Sequence, residues 1–161
     1  MSDAPGYYWK FLFEWEGTTF EDDPDDRGGA TKYGIDQRSH PNVDIRNLTE
    51  EQAKEIYRKD YWNRVRGGDI PEKLAVVVMD IAVNNGSGRA IKWLQALVGT
   101  VVDGVMGPKT IAASQSAGML DIKALLDRRE DFYRDIAKGR QAKFLKGWLN
   151  RNNSLRKLVG L

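Results

Sequence analysis

The 161-residue chain has no cysteine and a single histidine, His40. A disulfide framework and a thiolate zinc site are therefore excluded, and one imidazole does not make a nitrogen metal site. No metal or other cofactor is expected. No apolar run approaches the roughly 20 residues of a membrane span. The opening Met1-Ser2-Asp3-Ala4-Pro5 is acidic rather than basic, and the apolar stretch behind it is broken by Lys10 and Glu14, so it reads poorly as a signal peptide. The expected location is the cytoplasm of the producing cell, with any release left to another agent.

What is present is enough for a real core. At 41% hydrophobic content the chain can build one full domain, or one domain in two lobes. Five Trp and six Tyr suit sugar stacking as well as core filling, the core being the commoner use. The net charge of +2 hides an asymmetry. Residues 1–31 carry eight acids, Asp3, Glu14, Glu16, Glu21, Asp22, Asp23, Asp25 and Asp26, against Lys10 and Arg27. Residues 138–157 carry seven bases and no acid: Lys138, Arg140, Lys143, Lys146, Arg151, Arg156 and Lys157. Such a stretch favours an anionic polymer or an anionic cell-envelope surface, or is simply a solvated helix face. No base-reading motif accompanies it, so nucleic acid is not expected as a partner.

The local pattern is mostly helical. Residues 7–16 place Trp9, Leu12, Phe13 and Glu16 along one helical side, and Gly17 stops the helix. Thr18 to Ile35 reads as a hairpin: two β-prone segments flank the turn Asp22-Asp23-Pro24-Asp25-Asp26-Arg27-Gly28-Gly29. Thr49 with Gln52 forms a capping-box pattern ahead of Ala53, Ile56 and Tyr57, and Gly67-Gly68 ends that helix. Pro71 opens a helix with the stripe Leu74, Val77, Val78 and Ile81, closed by Asn84-Asn85-Gly86. Ser87 is read as the cap of the next helix, with Ile91, Leu94 and Leu97 on one side. A turn at Asp103-Gly104, a helix from Pro108 to near Gly118, and helical patterns over 120–138 and 141–158 complete the chain. The expected fold is α+β, mostly α, with a small N-terminal β-hairpin. One lobe is expected over residues 1–68 and a second, helical one over 69–161, packed as one compact monomer.

Glu16, Asp25 and Thr31 carry the chemistry. Glycoside hydrolysis uses two carboxyl groups in different protonation states, one donating a proton to the leaving oxygen and one remaining ionised. An apolar helix side and the negative end of a helix dipole both favour protonated Glu16. Asp25, in the most polar stretch and near Arg27, should stay ionised as a base or an electrostatic stabiliser. On a strand, Thr31, Tyr33 and Ile35 share a face, from which Thr31 can hold a water against Asp25. Taken singly, Glu16 also reads as a solvated helix end and Asp25 as a turn residue. A calcium loop starting at Asp23 fits poorly: its fifth and twelfth positions are Arg27 and Gly34.

The run from Glu16-Gly17-Thr18-Thr19-Phe20 through Asp22-Asp23-Pro24-Asp25-Asp26-Arg27-Gly28-Gly29-Ala30-Thr31-Lys32-Tyr33-Gly34-Ile35 resembles the front of glycoside hydrolase family 108, the N-acetylmuramidase endolysins of bacteriophages. That family usually has a glycine where Thr18 stands and a tyrosine where Phe20 stands. The nine- and six-residue spacing from Glu16 to Asp25 to Thr31 also resembles the catalytic trio of phage lysozymes. Asp80-Ile81-Ala82-Val83-Asn84-Asn85-Gly86, Leu94-Gln95-Ala96-Leu97 and Asp103-Gly104-Val105-Met106-Gly107-Pro108-Lys109-Thr110 look like the peptidoglycan-binding region that accompanies the family. The resemblance implies a lysozyme-like fold, bacterial peptidoglycan as partner, and Glu16, Asp25 and Thr31 as acid, base and water-holding hydroxyl. Tyr33, Asn84, Asn85 and Gln95 are sugar-contact candidates. It also implies an inverting hydrolase of the β-1,4 bond after N-acetylmuramic acid, acting in host lysis once released by a holin-type pore. A lytic transglycosylase and a non-catalytic basic wall- or membrane-disrupting protein are the alternatives.

Overall fold

A computed structural model describes residues 2–25 and 27–161; Asp26, counted above among the acids of the polar turn, lies outside the described residues. The chain folds as a mostly helical α+β protein and divides into two compact units, residues 5–60 and residues 61–161 with 1–4.

The first unit begins with α1 (Gly6–Glu16), whose start is set by Pro5 and whose end is set by Gly17 at φ 83°. Tyr8, Trp9, Phe11, Leu12 and Phe13 are all buried, so this helix is apolar around most of its circumference. Phe13 meets the rings of Tyr33 and Tyr57 edge-on, with centroids 5.4 and 6.0 Å away. The hairpin is tighter than expected. Strands β1 (Thr31–Lys32) and β2 (Ile35–Asp36) pair across a two-residue turn at Tyr33 and Gly34, with φ of 54° and 77°. Positive φ at both turn positions matches the right-handed twist of the flanking strands. Tyr33 is therefore a turn residue, and the strand alternation that grouped Thr31, Tyr33 and Ile35 on one face stops at Lys32. Of the expected outer pairing there remains a single antiparallel bridge, with Glu21 and Thr31 exchanging backbone hydrogen bonds of 2.8 and 2.7 Å.

Helix α2 (Glu50–Tyr57) opens with the expected capping box: Thr49 Oγ1 accepts from Gln52 N at 3.2 Å, and Gln52 Oε1 accepts from Thr49 N at 3.0 Å. It buries Ala53 and Tyr57, and its helical path continues as a π-helical turn over Arg58–Trp62.

The second unit is organised by α3 (Glu72–Asn85). Every residue from Leu74 to Ala82 is fully buried, so the helix is surrounded on all sides, beyond the single stripe expected. Helices α4 (Ser87–Val98) and α6 (Met119–Ile136) pack on it, and α7 (Leu145–Leu158) packs on α6. Ser87 is the first helical residue, and Gly86 takes the cap position with no side-chain bond. Helix α5 (Pro108–Ser114) is one turn shorter than expected, and a 3-10 segment over Gly139–Phe144 leads into α7.

One charge lies inside this core. Asp80 is 0% exposed, with Arg129 Nη1 at 2.9 Å and Arg151 Nη2 at 2.8 Å. Arg129 also donates through Nε to Asn152 Oδ1 at 2.8 Å, and Asn152 Nδ2 donates to the Leu126 carbonyl at 2.9 Å. Desolvating three charges is offset only because they meet each other, which ties α3, α6 and α7 at one point. Arg151 and Arg156 thus leave the solvated basic stretch, the second of them pairing with Asp127 at 2.8 Å. The expected basic face keeps Lys138, Arg140, Lys143, Lys146 and Lys157 exposed.

Candidate active site

Glu16 ends α1, half-buried, where the last turn leaves its carbonyls without helical partners. Its carboxyl lies against the hairpin turn. A methyl group added at Gly34 would sit 2.8 Å from Glu16 Oε2 and 2.9 Å from Glu16 Cβ, and it would collide with the Tyr57 hydroxyl. Gly34 is thus required twice over, by its positive φ and by the close approach of the Glu16 and Tyr57 side chains. Tyr57 donates from Oη to the carbonyl of Tyr33 at 2.8 Å, fastening α2 to the turn that backs the glutamate. The aromatic contacts of Phe13 with both tyrosines place α1 on the same frame.

The chain therefore holds one carboxyl between a helix end, a turn backbone and a phenol. Neither Gly34 nor Tyr57 was singled out by sequence reasoning. The available signal was the aromatic-glycine pair inside a β-prone stretch, which marks a two-residue turn.

Asp25 is exposed, and its backbone N–H donates to Asp23 Oδ1 at 2.9 Å, a local turn that presents the carboxylate from the polar loop. Thr31 is half-buried on β1, and its hydroxyl donates to the Gly29 carbonyl at 3.4 Å. The hydrogen bonds of the Asp25 backbone and the Thr31 hydroxyl are thus local, each to a residue two positions earlier. The Glu21 bridge does connect the backbone around them, since it pairs Thr31 with the residue that opens the acidic loop.

The remaining candidates have different surroundings. Tyr33 is half-buried, its ring edge against Phe13. Asn84 is exposed and Asn85 half-buried at the end of α3. Gln95 is 1% exposed. Its Nε2 donates to Asp103 Oδ1 at 2.8 Å, to the Val105 carbonyl at 3.0 Å and to Thr110 Oγ1 at 3.2 Å. Its Oε1 accepts from the N–H groups of Asp103 and Gly104, both at 3.0 Å. Its amide thus organises the 99–110 loop from inside. The carboxyl of Asp103 is held below its ordinary value by the Val105 N–H and then by the Gln95 amide.

Fold and family together define a glycoside hydrolase that works on peptidoglycan: the frame is mostly helical and lysozyme-like, and its sequence matches two family models. Residues 9–86 match the family model described as Glycosyl hydrolase 108, and residues 89–153 match the one described as Predicted Peptidoglycan domain. A solved structure described as that of Brucella abortus SagA is similar at 34% identity over 96% of this chain and 94% of that one, with a TM-score of 0.78. No curated protein sequence matches. The chain belongs to glycosyl hydrolase family 108 and carries that family's C-terminal peptidoglycan region.

Proposed function

We propose that the protein is an N-acetylmuramidase that hydrolyses the β-1,4 bond between N-acetylmuramic acid and N-acetylglucosamine, and that it serves lysis of a bacterial host after release from the cytoplasm. The observation that carries the chemistry is the position of Glu16 against Gly34 and Tyr57. In this reading Glu16 gives its proton to the leaving glycosidic oxygen. Asp25 orients water or supports the oxocarbenium-like centre, and Thr31 helps hold that water. Water must fit between sugar and base in an inverting enzyme, which needs carboxyls about 6.5–9.5 Å apart, against about 5–5.5 Å for retention.

The test is the chemistry of the cut end. Purified walls digested with the protein, reduced with borohydride and analysed by mass spectrometry should yield muramitol ends. Glucosaminitol ends would move the cut to the other glycosidic bond. Anhydro-muramic ends would identify a lytic transglycosylase, which needs the glutamate alone.

A further inference from the structure

Helices α4, α6 and α7, with the 3-10 segment that leads into α7, carry a row of neighbouring aromatic rings. Trp93 meets Phe132 edge-on at 5.4 Å, Phe132 neighbours Tyr133 at 6.1 Å, Tyr133 stacks on Trp148 at 5.1 Å, and Trp148 meets Phe144 at 5.8 Å. Cations sit on this row: Arg128 over Trp93 at 5.1 Å, Arg89 over Phe132 at 4.4 Å and Lys143 over Phe144 at 5.2 Å. Among the described residues none of these three pairs with a carboxylate, whereas Lys123, Arg134 and Arg156 are neutralised by Asp127 and Glu130. The row is thus both apolar and electropositive.

It opens into a cavity of about 190 Å³ where the end of α3 meets α6 and α7, with Asn84, Asn85, Arg89, Ile136 and Trp148 among its walls. Asn85 is held in place from two sides. Its Oδ1 accepts from the buried Tyr133 hydroxyl at 3.5 Å, and its carbonyl accepts from Arg89 Nη1 at 3.2 Å. The cavity is smaller than the roughly 300–1,000 Å³ that engulfs a whole drug-sized ligand. It suits one arm of a larger molecule whose body lies along the rings.

We propose that this pocket and its aromatic row form a glycan site within residues 61–161, taking an N-acetylated sugar that carries an acidic peptide. The acetamido group enters against Asn84 and Asn85, the sugar face lies on Trp148, and a carboxylate of the peptide pairs with Arg89. Aromatic faces fit the apolar sides of sugar rings, and a guanidinium pairs a carboxylate in two-point geometry. The proposal rests on peptidoglycan as the partner, but not on Glu16 as the acid.

The test uses the intact chain carrying Glu16→Gln, so that substrate is not consumed where Glu16 is the acid. Calorimetry measures its affinity for a soluble N-acetylglucosaminyl-N-acetylmuramoyl tetrapeptide, for the same disaccharide without peptide, and for vesicles of phosphatidylethanolamine and phosphatidylglycerol. Asn84 and Arg89 are both exposed, so Asn84→Ala and Arg89→Ala should fold normally. Each is expected to weaken muropeptide binding about tenfold or more, as for loss of a hydrogen bond to a charged or well-oriented polar group. Arg89→Lys should recover part of the loss. The peptide-free disaccharide should bind less tightly and lose less affinity than the muropeptide on Arg89→Ala. Unchanged muropeptide affinity in both variants would overturn the site. Weakened vesicle binding with intact muropeptide binding would also overturn it, by assigning the row to a membrane surface. Cleavage of walls by the Glu16→Gln chain would instead remove Glu16 as the acid and leave this measurement standing.

Discussion

Replacing Gly34 by alanine probes the setting of the proposed acid, Glu16, without changing its carboxyl. The added Cβ would lie 2.8 Å from Glu16 Oε2, 2.9 Å from Glu16 Cβ and in collision with the Tyr57 hydroxyl, all inside the distance at which real Cβ contacts occur. Backbone strain adds to this. An L side chain at the left-handed φ of 77° costs about 1–2 kcal/mol, which for a chain of this length lowers Tm by about 2–8 °C. Relief requires Glu16 to move, and a 1 Å misplacement of a reacting group costs about 10²-fold in rate. Gly99 supplies the control. It has a similar φ of 79° with nothing within 4 Å of an added Cβ, so Gly99→Ala carries the strain without the crowding. Turbidity clearing of purified walls, read beside thermal unfolding, should show both variants destabilised and only Gly34→Ala losing about 10²-fold in activity. Equal activity of the two would refute the argument that Gly34 leaves space for the acid.

Other consequences follow from the packing. Asp80→Ala leaves the guanidinium groups of Arg129 and Arg151 in the core without their carboxylate and should cost about 3–5 kcal/mol, seen as a lower urea midpoint. Thr49→Ala removes one arm of the capping box and should cost about 1 kcal/mol, with a fall in Tm of about 2–4 °C. The carboxyl of Asp127 is held below its ordinary value, first by the hydrogen bond from Lys123 and then by Arg156. A carboxyl lowered by folding stabilises above its unfolded value near 3.9 and loses that contribution as pH falls through the folded value. The stability gap between wild type and Asp127→Asn should therefore be constant above about pH 5 and close progressively below about pH 4. A gap that widened on acidification would contradict the assigned pairing.

How much was legible in the sequence depended on how local the cause was. The end of α1 at Gly17, the Thr49–Gln52 box and the closure of α3 at Asn85-Gly86 are set within a few residues, and each appears where its residues indicated. The hairpin was displaced because Tyr33, an aromatic residue, takes a positive φ that its type disfavours and that the surrounding Phe13 and Tyr57 contacts impose. Nothing local to Arg151 separates it from Lys146 or Lys157. Its partner Asp80 lies 71 residues earlier, so its turn inward could not be read from the basic run. Gln95 shows the same limit. An amide on a helix resembled a sugar contact, while five hydrogen bonds to the 99–110 loop, Asp103 and Thr110 hold it inside.

The position of Glu16 at the end of the aromatic helix α1 was legible because Gly17 stops the helix there. Its setting against Gly34 was not, since that contact spans the whole acidic loop. The rate of glycan cleavage by Glu16→Gln beside wild type therefore tests the central claim most directly. With muropeptide release from purified walls as the readout, the variant should remain folded and lose about 10²–10⁴-fold in rate, the contribution of a positioned general acid. Release at the wild-type rate would show that Glu16 is not the proton donor.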